Sequence, residues 1–214
     1  MILSHSKQFI FIHGPKVAGK SIKAALEPYN SRPYRLAPYL ALPKYLGKKP
    51  KIFSGCFRGH LSALKLAQQL PESIFNEYFK FGFVRNPWDR EVSSYFYILK
   101  TPDHPKHQKI KQMESFQEFT ESLLTFHKEV RPLVNQIERL SDKSDNVLVD
   151  FIGKYENINE DFQYACQQIG LPDLKLPEVN KSGHKQYRAY HSERSKAIIE
   201  QIYQKDIEYF QYEF

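Results

Sequence analysis

Residues 8–27 constrain this chain more than any other stretch. Gln8-Phe9-Ile10-Phe11-Ile12-His13 is a short apolar run with no polar alternation, as in a strand buried on both faces of a parallel sheet, and it stops at Gly14-Pro15. Residues 21–27 then carry Ile22, Ala25 and Leu26 at helical spacing, with Pro28 as the stop. A strand that turns into a helix in this way gathers loop amides and the positive end of the helix dipole at one spot, so the unit is built to hold an anion. The loop Gly14-Pro15-Lys16-Val17-Ala18-Gly19-Lys20-Ser21 also satisfies G-x-x-x-x-G-K-S, a pattern in which Lys20 meets nucleotide phosphates and Ser21 a magnesium ion. A P-loop kinase is one reading of it. Such an enzyme needs an acidic magnesium ligand at the end of another strand, and Asp150 is the candidate.

The remainder of the chain alternates strands with helices. Residues 78–84 form a second strand, and Arg85 follows it. Asn86 and Pro87 stand in the N-cap and first-turn positions of a helix over 88–99. Residues 146–152 read as a third strand, with residues 51–53 a weaker candidate. Helices are expected over 61–70, 116–126 and 157–169. The last of these opens on an Asn157/Glu160 capping pair and is closed by Gly170. Ile198, Ile199, Ile202, Ile207 and Phe210 mark one final amphipathic helix, whereas residues 28–50, 100–112 and 171–190 read as irregular. This order predicts an α/β fold with a mostly parallel central sheet flanked on both faces, a three-layer arrangement in a single domain over 1–214.

Charge and cysteine content narrow the function. Lys and Arg number 31 against 24 Asp and Glu, a formal net charge of +7 that favours an anionic ligand or partner. Cys56 and Cys166 are too few for a disulfide framework and lack metal-ligand spacing, which suits a reducing cytoplasm. The apolar run near the start is too short for a signal peptide or a membrane span, so the chain reads as cytoplasmic.

Two separated motifs carry a family resemblance. Phe11-Ile12-His13-Gly14-Pro15-Lys16-Val17-Ala18-Gly19-Lys20-Ser21-Ile22 resembles the F-I-H-x-P-K-T-A-G-T-S-I loop of carbohydrate sulfotransferases. Phe83-Val84-Arg85-Asn86-Pro87-Trp88-Asp89-Arg90 with Val92-Ser93-Ser94-Tyr95 is similar to that family's F-V-R-N-P-x-x-R-x-x-S-x-Y motif, and residues 154–157 and 206–214 resemble its closing portions. The resemblance implies a P-loop-like fold, 3′-phosphoadenylyl sulfate (PAPS) as donor with adenosine 3′,5′-bisphosphate (PAP) as product, no catalytic metal, and a carbohydrate hydroxyl as acceptor. Carried over by position, Lys16, Val17, Ala18, Gly19, Lys20, Ser21 and Ile22 hold the 5′-phosphosulfate, with Lys16 also catalytic, while Arg85 and Ser93 hold the 3′-phosphate. An arginine offers a planar fork matched to phosphate oxygens.

Cys56-Phe57-Arg58-Gly59-His60-Leu61-Ser62 resembles a segment of uronosyl sulfotransferases in which a second histidine, here His60, is the base that takes the acceptor's proton. Arg58 replaces the first histidine of that segment. His13 is read as positioning the strand end. Asn180, Tyr187 and Arg188 are candidates for closing over the ligands, and Lys20 departs from the family's threonine. A non-catalytic binder of acidic polymers, nucleic acid included, is a third reading from the net charge and the lysines of residues 100–111, but it leaves both motifs without a purpose. The sequence assigns no oligomeric state.

Overall fold

The computed structural model describes residues 1–31, 61–129, 135–177 and 186–214. Their fold is α/β: a four-stranded, mostly parallel sheet flanked by helices. The strands β1 (Ile2–Ser4), β2 (Phe9–Ile12), β3 (Phe79–Val84) and β4 (Phe151–Lys154) lie in that order. The helices are α1 (Gly19–Leu26), α2 (Ala63–Gln69), α3 (Glu72–Glu77), α4 (Pro87–Leu99), α5 (His107–Lys111), α6 (Phe116–Glu129), α7 (Ile158–Gln168), α8 (Glu193–Ile202) and α9 (Gln204–Phe210). The chain divides into two compact units, Met1–Val84 with Glu138–Val179 and Arg85–Ile137 with Asn180–Phe214.

The first unit contains the sheet. β2 runs parallel to β3 with Phe9 opposite Phe79 and Ile12 opposite Gly82, and β3 runs parallel to β4 with Phe81 opposite Phe151. Phe9, Phe11, Phe81 and Phe83 share one face by the two-residue period of a strand, and there they meet Ile22, Ala25 and Leu26 of α1 and Phe162, Ala165 and Cys166 of α7. Phe81 is central to this face, with ring centroids 5.4 Å from Phe11 and 6.0 Å from Phe9. Each Phe buried to this extent contributes about 1.5–3 kcal/mol. Burial pushes the Cys166 thiol up to about 12, so it packs as an apolar side chain. The C-terminus of α7 closes as a Schellman motif: Gly170, at φ 67°, donates to the Gln167 carbonyl and Leu171 to that of Cys166.

The second unit is helical. Asn86 Oδ1 accepts from the amides of Trp88 (3.0 Å) and Asp89 (3.4 Å), and Pro87 takes the first position, so α4 begins where the sequence predicts. α4 packs against α5, α6, α8 and the 3₁₀ turn Tyr187–Tyr190. Ser192 and Ser195 form a reciprocal capping box at the start of α8. The Phe214 ring is held edge-to-face by Trp88, Tyr187 and His191, with Lys196 Nζ 4.7 Å from its centroid.

Five sequence expectations change. β1 was not expected and is antiparallel to β2. The third strand starts later than residues 146–152, because Val147 pairs with Ser141 outside the sheet and only Phe151–Lys154 joins β3. Asn157 makes no side-chain cap; a 3₁₀ turn, Tyr155–Asn157, leads into α7 instead. Residues 100–112 contain α5, anchored by buried His107 and Ile110. The single last helix is two, α8 and α9, broken at Tyr203. The strand candidate at 51–53 lies outside the described residues.

Candidate functional site

In the first unit the chain leaves β2 at Ile12 and enters α1 at Gly19 through a loop whose handedness alternates. Lys16 has φ 65° and Ala18 has φ 55°, ψ 15°, left-handed conformations that cost a non-glycine residue about 1–2 kcal/mol each. Alternation of this kind turns successive amides toward one concavity, a nest for an anion. Ala18 offers no side-chain cap to α1, and the first turn of α1 contains no acidic residue, so no carboxylate of that turn offsets the positive helix end. The loop is pinned from beneath by Val17 and Ile22, both in the hydrophobic core, and the Ile22 amide donates to the Ala18 carbonyl. Ser21 is buried, Lys16 half-buried and Lys20 exposed.

Gly19 is required here by close approach. A Cβ built on it would stand 1.9 Å from Cδ2 and Nε2 of His13, whose ring is stacked on Phe11 at 6.0 Å and 22°. The His13 ring fills the space over Gly19, at the start of α1, that a side chain there would need.

Arg85 and Ser93 belong to the second unit, on either side of the start of α4, and both are buried. Arg85 Nε donates to Asp89 Oδ2 at 2.8 Å, so an acid one turn into α4 holds one edge of the guanidinium. The Arg85 main chain is gripped by the Gln136 side chain: its N–H donates to Oε1 (2.9 Å), and Nε2 donates to its carbonyl (2.8 Å). Tyr187 and Arg188 lie beside the same helix start, Tyr187 Oη 3.5 Å from Asn86 Nδ2 and Arg188 Nη2 2.9 Å from the Phe214 main-chain oxygen. His60, Arg58 and Asn180 lie outside the described residues.

Asp89 and Gln136, which hold Arg85, and Asp206, which holds Gln136, were not singled out from the sequence. Asp206 had a signal: in the spacing 202, 206, 210 an acid occupies the apolar stripe between Ile202 and Phe210, and it is fully buried. Gln136 had none, since one glutamine in a polar stretch is unremarkable. Asp150 takes a structural role at the start of β4, where it accepts from the Lys80 amide (2.6 Å) and pairs with Lys80 Nζ (2.9 Å). Lys80 is level with Ile10, so Asp150 stands before the strand ends and not beyond the carboxyl edge from which the loop departs.

Comparison with known proteins gives a consistent picture. A model described as the sulfotransferase family matches residues 1–213. A protein of Archaeoglobus fulgidus, named only as uncharacterized, is 32% identical over 133 residues, covering 60% of this chain and 98% of that protein. Carbohydrate sulfotransferase 9 of Homo sapiens is 32% identical over 154 residues, covering 62% of this chain and 33% of that protein, so the match spans about a third of the human protein's length.

Proposed function

The chain belongs to the sulfotransferase family, whose fold is P-loop-like, and from that premise we propose that it is a single-domain enzyme moving a sulfuryl group from PAPS to a carbohydrate hydroxyl. The observation that carries the donor assignment is the loop after β2, with left-handed Lys16 and Ala18 opening onto an α1 start that has no acid in its first turn. The carbohydrate acceptor is supported by the human relative's name and by the motif resemblance; the net charge of +7 suits an anionic one.

In this reading Lys16 and the amides of residues 17–21 bind the 5′-phosphosulfate. Lys16 neutralises the charge that grows on the phosphate oxygen as the S–O bond to the leaving PAP breaks. The acceptor oxygen forms the new S–O bond in line with that leaving group, and His60 takes its proton. Arg85 and Ser93 bind the 3′-phosphate. Within the first unit β2 and β3 are parallel neighbours, and the loop leaves β2 at its carboxyl end, where α/β sheets bind ligands. Positioning and preorganised positive charge do most of the work, as in phosphoryl transfer.

A nucleotide comparison tests this against the kinase reading, which has lost Asp150 to its pairing with Lys80. PAP at about a hundredfold over its Kd is expected to stabilise the protein by ~2.7 kcal/mol, with ATP and magnesium giving less at equal concentration. Stabilisation by ATP with magnesium alone would refute the sulfotransferase donor site. For His60→Ala, turnover with PAPS and an accepted glycan is expected to fall about a hundredfold while PAP affinity is kept. Near-normal turnover would remove His60 as the base.

A further inference from the structure

We propose that Gln136, oriented by Asp206, is a positioning residue for the 3′-phosphate end of the donor site; this rests on the reading of Arg85 as the ligand of that phosphate. The need for such a residue comes from the fold. β3 makes its last ladder pair at Val84, opposite Lys154, and α4 does not begin until Pro87. The Arg85 peptide therefore falls between a strand and a helix, outside the ladder and helix ranges in which backbone pairs regularly. Gln136 pairs with both of its main-chain groups, accepting from the N–H at 2.9 Å and donating to the carbonyl at 2.8 Å, a two-point clamp that mimics a strand neighbour.

The clamp has one working orientation. Gln136 Nε2 also donates to Asp206 Oδ2 at 3.2 Å, and Asp206 accepts from the main-chain amides of Gln136 (2.7 Å) and Ile137 (2.9 Å). A flipped amide would set Nε2 against the Arg85 N–H and Oε1 against two acceptors, so Asp206 fixes the direction in which Gln136 faces Arg85. Asp206 is fully buried, and its cationic neighbour Arg90 (Nη1 3.7 Å) is shared with Glu91, which accepts from Tyr203 Oη at 3.0 Å. Such a buried ionic cluster is weak as a source of stability, and an apolar residue would suit the stripe between Ile202 and Phe210. What the cluster delivers is a fixed Arg85 backbone. With Asp89 holding Nε, both ends of the Arg85 residue are set before a ligand arrives.

Two ligands separate positioning from general integrity: PAP, and adenosine 5′-phosphosulfate, which lacks the 3′-phosphate. For Gln136→Met, titration calorimetry is expected to show PAP affinity falling about tenfold, because a loosened Arg85 must be ordered when the ligand binds, with adenosine 5′-phosphosulfate affinity unchanged. Gln136→Asn, an amide too short to reach both groups of Arg85, is expected to show the same selective loss to a smaller degree and serves if Gln136→Met does not fold. An unchanged ratio of the two affinities, an equal loss for both ligands, or failure of both variants to fold would overturn the proposal. Arg85→Ala keeps the two readings apart. If it leaves the ratio unchanged, Arg85 is not the 3′-phosphate ligand; if it abolishes the preference while the Gln136 variants retain it, only the positioning role fails.

Discussion

Lys16→Gly is expected to give a slightly more stable protein that transfers sulfuryl groups about a thousandfold more slowly, the scale of loss when a preorganised charge at the reacting centre is removed. The two effects have separate causes. Lys16 stands at φ 65°, where a side chain costs about 1–2 kcal/mol and glycine nothing, against the ~0.5–1 kcal/mol that glycine adds in unfolded-chain entropy. The net gain of roughly 0.5–1 kcal/mol corresponds to a rise of about 1–4 °C in Tm for a domain of this size. The loss in turnover follows from the proposed role of Lys16, whose ammonium neutralises the leaving phosphate. Calorimetry and kcat/KM with labelled PAPS measure the two separately. Unchanged turnover would take Lys16 out of the reaction, and a lower Tm would mean that the lysine is held by contacts worth more than its backbone strain. A functional side chain kept at a backbone angle that disfavours it is the usual sign of strain retained for activity.

The parts of the fold legible from sequence are those in which local signals agree. Residues 8–27 show an apolar strand, a glycine loop and helical spacing in succession, and β2 and α1 fall there. The Asn-Pro pair at 86–87 fixes the start of α4 because capping and ring geometry are local physics. What was not legible is either too short for a pattern to show or set by partners outside its own segment. β1 is three residues long, too short for any period to show. Residues 146–152 look uniformly strand-like, yet Asp150 is held by Lys80 and Val147 pairs with Ser141, so only Phe151 and Ile152 of them join the sheet. The stripe of the last helix continues across Tyr203, but its φ of −114° and ψ of 27° break the helix where its hydroxyl meets Glu91. The site follows the same division. The loop and Arg85 announce themselves by motif, whereas Gln136 joins Arg85 across 51 residues and Asp206 joins Gln136 across 70, contacts with no local signature.

Gly19→Ala is expected to lower stability by about 1–3 kcal/mol, the cost of overpacking a close contact. It is also expected to weaken PAP binding about a hundredfold, because the loop amides move by around an ångström from where they would hold phosphate. The added methyl meets His13 at 1.9 Å, and the half-buried ring cannot move toward Phe11, on which it stacks and which is fully buried between Phe81 and the α1 face. Either the ring leaves its place or the loop opens. His13→Ala alone opens space above Gly19 without pushing on the loop, so its effect on PAP binding is expected to be within a fewfold. The double variant His13→Ala/Gly19→Ala is then expected to recover most of the affinity lost in Gly19→Ala, a coupling well beyond the ~0.3–0.5 kcal/mol within which independent sites add. Additive losses in PAP titrations would mean that the two residues do not share that space. A full recovery would identify the histidine before the loop as the packing element that makes glycine obligatory at position 19 and so holds the nest in shape.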